Sequence, residues 1–133
     1  MRKTRNNESG FTLLELLVVM SIIAILMMIA VPRFTGAIRS AREAVLKEDL
    51  SVMRAAIDSY TMDKQKGPNS LDDLVNEGYL RAIPIDPMTQ SNSTWSTDQA
   101  DALQSLDQTD PGIADVHSGS DEQGSDGQPY STW

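Results

Sequence analysis

Between Leu16 and Val31 every residue is apolar except Ser21, and beyond Pro32 this uniform run gives way to an amphipathic one. Counted from Phe11, the apolar segment spans 21 positions, which is about 30 Å of helix at ~1.5 Å per residue, enough to cross a bilayer. Past the proline, Leu46, Leu50, Met53, Ile57 and Tyr60 recur at intervals of 4, 3, 4 and 3, with Arg, Lys, Asp and Glu between them. One helical face is therefore apolar and the others are wet. The pattern predicts one helix over about residues 12 to 63, roughly 80 Å long, stopped by Gly67-Pro68. Pro32 removes a helical N–H and crowds the preceding turn, which predicts a kink or a melted turn near residues 28 to 36, with Gly36 adding slack. A helix this long must bury one end in lipid or in other helices.

Downstream the periods shorten. Ser70 followed three residues later by Asp73 makes a capping-box-like start, Leu71, Leu74 and Val75 share a face, and Gly78 can close the turn, which predicts a short helix over 71 to 77. "IPIDPMTQSNSTW" combines two prolines with turn residues and predicts an ordered loop entering a short strand near Ser93 to Thr97. Residues 98 to 111 are acidic and weakly periodic, which suits a surface loop or one helical turn. Ile113 and Val116 carry an apolar alternation, and a Gly/Ser/Asp loop then leads to Tyr130 and Trp133 as terminal anchors. The expected class is α+β: a long N-terminal α-helix, membrane-spanning in its first half and amphipathic in its second, packed on a small C-terminal domain with a short helix and a short antiparallel β-sheet. The segments fall at 1–10, 11–31, 32–66 and 67–133.

Composition narrows the chemistry. With no cysteine in 133 residues, neither a disulfide nor a thiolate metal site can staple the thin globular part, so a bound metal or a neighbouring molecule would have to serve. The net charge of −8 argues against nucleic acid as a partner, because phosphate binding needs clustered Lys and Arg. The acid is uneven: residues 82 to 133 hold nine Asp and Glu and no Lys or Arg, so this region either stays solvated or binds cations. His117 is the only histidine and has no second His or Cys to complete a transition-metal site or a nucleophile pair, which makes it a polar loop or edge residue. Met20, Met27 and Met28 in the span and Met53 on the stripe suit packing. Trp95 and Trp133 suit the same use. Paired buried acids or nucleophile–base sets are not evident, so an enzyme is not expected.

One acid sits where composition alone would not put it. Glu15 interrupts the start of the apolar run in "GFTLLELL", directly after a leader, "MRKTRNNESG", whose Arg2, Lys3 and Arg5 outnumber Glu8. A helix-centre acid costs ~2.5–3.5 kcal/mol on insertion scales, and less near the interface. Phe11 to Glu15 is one helical turn, so an ammonium at Phe11 and the Glu15 carboxylate are natural partners if the chain is cut after Gly10. An interfacial acid that merely snorkels is the alternative. A secretory signal cut after "FTGA" at Ala37 meets a poor small-residue region, and an uncut single-span anchor leaves the Gly10-Phe11-Glu15 spacing unexplained.

The stretch "GFTLLELL" after a short basic leader resembles the prepilin signature shared by type IV pilins and type II secretion pseudopilins. The resemblance implies that residues 1–10 are a leader removed by a prepilin peptidase between Gly10 and Phe11, and that the new Phe11 amine is methylated. It also implies that Glu15 meets that amine on a neighbouring subunit and so sets register during filament assembly. The implied topology is a single pass through the bacterial inner membrane with the C-terminal region in the periplasm.

Two further stretches are similar to one branch. "IPIDPMTQSNSTW" resembles the Leu-Pro-x-Asp-Pro-Trp-Gly segment of major pseudopilins, with Met88 in place of the tryptophan, and "DVHSGSDEQGSDGQPYSTW" resembles their closing loop around a calcium ion. The implied ligands are Ser118, Asp121 and Asp126, hard oxygens of the kind Ca2+ takes, although the spacing is not that of an EF-hand and the interval from Asp126 to Trp133 departs from the usual pattern. The implied function is a major pseudopilin of a type II secretion system. It would polymerise with itself from the inner membrane into a periplasmic filament, with an inner-membrane assembly platform and minor pseudopilins as further partners. A type IV pilus subunit and a monomeric membrane-tethered calcium-binding module stay open beside it.

Overall fold

A computed structural model describes residues 10–101 and 111–133. The chain divides into two compact units, one ending at Ile38 and the other running from Arg39 to Trp133. The element order is helix α1 (Leu13–Lys64), helix α2 (Leu71–Asn76), strand β1 (Ser96–Gln99), strand β2 (Ile113–His117) and a 3-10 turn, Tyr130–Thr132. This is the expected α+β architecture.

Helix α1 covers 52 residues and contains Pro32 without a break. The melted turn expected between residues 28 and 36 is absent. Proline deletes one N–H donor, the helix assignment nonetheless runs through it, and Thr35 Oγ1 donates to the Pro32 carbonyl at 3.0 Å. The helix ends where Gln65 turns to φ 57, its amide Nε2 donating to Met62 O at 2.9 Å.

In the first unit every described residue is exposed, with Phe11 at 90% and Met28 at 78%. This stretch of α1 is long and apolar enough to cross a membrane. In the second unit the helix buries the predicted stripe. Leu46, Leu50, Met53, Ile57 and Tyr60 are joined in the core by Leu74, Leu80, Trp95, Ile113, Val116 and Tyr130. Each large side chain removed from water in this way contributes about 1.5–3 kcal/mol.

Helix α2 starts on the Asp73 carboxylate, whose Oδ2 accepts from the Asn69 and Ser70 amides at 2.9 and 3.1 Å. It closes in a Schellman turn, Tyr79 N donating to Leu74 O at 2.8 Å and Gly78 N to Val75 O at 3.2 Å. Gly78 carries φ +84 there, a conformation that favours glycine. Glu77 is the C-cap rather than the last helical residue.

The two strands pair antiparallel, Ser96 facing His117 and Thr97 facing Val116, with a bulge between Asp98 and Gln99. The strand expected at Ser93 to Thr97 thus begins three residues later. Hydroxyl turns hold the earlier residues in the loop, with Ser93 N donating to Ser91 Oγ at 3.2 Å, and such local bonds compete with a ladder. Asp98 and Gln99, expected in a loop, are strand; residues 102 to 110 lie outside the described residues. Gly112, at φ +75, lies against the Gly67 backbone, where a Cβ would collide. Ile113 N donates to Pro68 O at 2.8 Å beside it. This close approach ties the end of the long helix to β2.

Candidate functional site

Two groups of residues carry the functional reading, one in each unit. At the N-terminal end, Thr12 caps α1: its Oγ1 accepts from Glu15 N at 3.2 Å and its carbonyl accepts from Leu16 N at 3.1 Å. The cap fixes where the helix begins and leaves Gly10 and Phe11 outside it, both exposed. Nothing lies within 4 Å of a Cβ built at Gly10. Glu15 stands in the first turn, where the unpaired N–H groups of the helix end favour a negative charge. Thr12-x-x-Glu15 is the spacing of a capping box, so the helix start was legible in the sequence, though Glu15 drew attention there only as a membrane acid.

The second unit is fastened through charged groups that the sequence did not single out. Glu43, on α1, is 6% exposed. Its Oε1 accepts from Ser125 N at 2.9 Å and from the Tyr130 hydroxyl at 2.8 Å, and its Oε2 accepts from the Ser125 hydroxyl at 2.6 Å. Arg39, one turn earlier, approaches Glu43 Oε1 at 3.4 Å and donates to Gln123 O. The Ser125 hydroxyl bond, working against burial and helped by Tyr130, the Ser125 amide and Arg39, holds the Glu43 carboxyl below its ordinary range. Arg54 grips the chain further along, donating to Asp115 Oδ1 at 2.6 Å, Val116 O at 2.9 Å and the main-chain oxygen of Trp133 at 2.7 Å. Burial pushes the Asp115 carboxyl up, but Arg54 and the Val116 amide outweigh it and the net direction is down.

His117 ends β2, as an edge residue. Its Nδ1 lies 2.6 Å from the Trp133 main-chain oxygen and its Nε2 lies 3.1 Å from Asp98 Oδ2. Asp86, in the "IPIDP" loop, is fully buried and accepts from the Ser118 hydroxyl at 2.6 Å, Gly119 N at 3.2 Å and Met88 N at 2.8 Å. Trp95 Nε1 donates to Pro84 O at 2.8 Å in the same loop. The sequence cues to Asp86 were an acid between two prolines and the likeness of its segment to Leu-Pro-x-Asp-Pro-Trp-Gly.

These bonds decide what the closing loop offers a cation. Ser118 is fully buried, and its hydroxyl, given to Asp86, also accepts from Ser120 N at 3.2 Å. Its main-chain oxygen is what it retains for a metal. Asp121 and Asp126 are exposed, and Asp126 Oδ1 accepts from Gln128 N at 2.9 Å. Among the described residues no three or more His, Cys, Asp and Glu side chains gather into a metal-holding group. Oxygen donors of this kind are the type a hard cation such as Ca2+ takes, and not those of a zinc-type cage.

A capped apolar helix opening on Gly-Phe-x-x-x-Glu, followed by a small α+β unit, defines a class, and sequence comparison agrees: residues 5–31 match the prokaryotic N-terminal methylation motif. The chain belongs to the prepilin-type family, whose members include pseudopilins and pilin-like proteins. Among its relatives, the Type II secretion system core protein G of Pseudomonas aeruginosa is 33% identical over 99 residues, covering 62% of this chain and 70% of that one. The Vibrio cholerae protein of the same name is 31% identical over 143 aligned positions, covering 96% of this chain and 87% of its own. The ComG operon protein 3 homolog of Bacillus licheniformis is 40% identical over 76 residues, 56% of this chain and 77% of that protein. No solved structure gives a significant match.

Proposed function

We propose that this chain is the major pseudopilin of a type II secretion system, a structural subunit that polymerises from the inner membrane into a periplasmic filament supporting protein export. The observation that carries the reading is the start of α1. Gly10-Phe11 stands exposed outside a capped helix whose first turn holds Glu15 and whose next turns expose apolar surface interrupted only by Ser21. A prepilin peptidase would cut after Gly10 and leave a Phe11 amine, the atom to be methylated. An exposed apolar helix loses nothing on leaving lipid if a neighbour's helix replaces the lipid. The Glu15 carboxylate must then find a cation, and the Phe11 amine of an adjacent subunit supplies one. Assembly by the inner-membrane platform with minor pseudopilins follows from the same reading.

The mature N-terminus tests the processing, since mass spectrometry should give a chain that begins at N-methyl Phe11. Electron microscopy after overproduction with the assembly machinery tests the polymer. Regular fibres are expected from the unaltered chain and none from Glu15→Val. A native chain still beginning at Met1, or fibres indifferent to Glu15→Val, overturns the reading. The relatives named for competence operons favour a second reading, a pilus subunit, and the identity of the neighbouring genes, secretion or pilus assembly, separates the two.

Calcium belongs to the same proposal. Asp121 and Asp126 with the Ser118 main-chain oxygen would hold it, and its charge would stabilise a loop that carries acids and no disulfide. The Glu43 and Arg39 bonds hold the segment around Asp126 to α1.

A further inference from the structure

The sequence holds two Asn-x-Ser/Thr triplets, the spacing at which an asparagine carboxamide accepts a glycan. Asn7-Glu8-Ser9 belongs to the leader and lies outside the described residues. Asn92-Ser93-Thr94 lies in the loop before β1, in the second unit. All three of its residues are exposed, and no proline stands between the asparagine and the threonine.

The loop is anchored on both sides of the acceptor. Ser91, just before it, pairs with Asp86 in an isolated antiparallel bridge, and the Thr94 carbonyl, just after it, packs against Gly119, where a Cβ would collide. Between these anchors the Asn92 carboxamide makes no hydrogen bond to any described residue. A groove of about 370 Å³ starts at Asn92 and Ser93. Leu71, Ile83 and Trp95 give it apolar walls, Asn69 and Thr97 add a carboxamide and a hydroxyl, and Asp72 is its one charged residue. Trp95 is 9% exposed and gives its indole N–H to Pro84 O, so the aromatic wall is already in place. A nearly uncharged cleft of this kind matches a neutral polyhydroxylated ring, which sets C–H faces on apolar surface and hydroxyls on amides.

We propose that Asn92 is the acceptor of an N-linked glycan whose first sugar lies in this groove. The proposal rests on the reading that places residues 67–133 outside the inner membrane, where a lipid-linked oligosaccharyl pyrophosphate is the donor. Asn92 Nδ2 attacks the anomeric carbon of that donor, and the C–N bond forms as the C–O bond to the pyrophosphate breaks. The amide proton passes to a base of the transferase, and the lipid pyrophosphate leaves.

For the test, the full chain is purified from the membranes of its native host and cleaved before aspartate, which isolates residues 86–97 as one peptide. Its mass is read beside that of the N-terminal peptide. The 86–97 peptide is expected to carry a whole number of sugar residues in the unaltered chain and in Thr94→Ser, and none in Asn92→Gln or Thr94→Ala. Enzymatic removal of the glycan should move the Trp95 indole N–H resonance and leave that of Trp133 in place. An unmodified Asn92 overturns the proposal, as does an added mass that survives Asn92→Gln, which would put the sugar on a hydroxyl. A Trp95 resonance indifferent to deglycosylation overturns the seating in the groove. N-methyl Phe11 together with a bare Asn92 removes the glycan alone, whereas a chain beginning at Met1 overturns the prepilin reading and the topology on which the glycan depends.

Discussion

Glu43 shows how one side chain can hold a segment more than eighty residues away. Its carboxylate collects three hydrogen bonds from Ser125 and Tyr130 while nearly buried. Bonds to a charged acceptor contribute about 1.5–3 kcal/mol each at most, and Glu43→Gln, which keeps the shape and removes the charge, should cost about 1–3 kcal/mol at neutral pH. The sign of the pH dependence follows from the lowered carboxyl. Its stabilisation is fully present above the unfolded-state value, ~4.3 for Glu, and is lost as pH falls through the folded one. Asp115 acts in the same sense. Asp49 acts in the opposite one, because burial, then Asp86 and Glu48, raise its carboxyl. Urea midpoints measured between pH 6 and pH 3 should therefore fall with acidification, and fall less in Glu43→Gln. Equal slopes in the two proteins would remove Glu43 from the explanation.

Among the elements, α1 and α2 were legible because their cues are local. The stripe from Leu46 to Tyr60 repeats at the helical period and is buried as that period requires, and Ser70 to Asp73 and Gly78 mark both ends of α2. Asp73→Ala removes the acceptor for two amides and should lower stability by about 1 kcal/mol. The β1–β2 pair was less legible. Every residue of Ser96–Gln99 is exposed and the strand shows no apolar alternation, so its strand state comes from pairing with β2 and not from its own residues. The pair depends on Gly112. Gly112→Ala meets a left-handed φ and the Gly67 backbone together, and should cost more than about 1 kcal/mol, several degrees of melting temperature for a domain this small. Thermal denaturation followed by circular dichroism checks both substitutions, and an unchanged transition for Gly112→Ala would contradict the packing described for it.

For the whole molecule, stability and calcium are linked by mass action. A ligand that binds only the folded chain adds ~2.7 kcal/mol when present at 100 times its Kd. If the closing loop binds calcium, chelation should lower the melting temperature of the full chain in detergent. Asp121→Ala should do the same and should make chelation matter less. A transition indifferent to chelator and to Asp121→Ala removes calcium from the proposed function and leaves the prepilin reading intact.

The amino-acid order alone determined the apolar span, the helical stripe beyond it, the ends of α2 and the Gly10-Phe11-Glu15 spacing, because each is written within a few turns of chain and read out by local hydrogen bonding and periodicity. Tertiary structure alone decided that Glu43 and Asp86 are buried fastenings of the second unit and Arg54 a half-buried one, that Ser118 turns its hydroxyl inward, and that Lys47 meets Trp133 over an open cavity. Those pairings join residues from about 30 to almost 90 positions apart. A charged residue looks the same in sequence whether it faces water or a partner, and only the fold brings the partner to it.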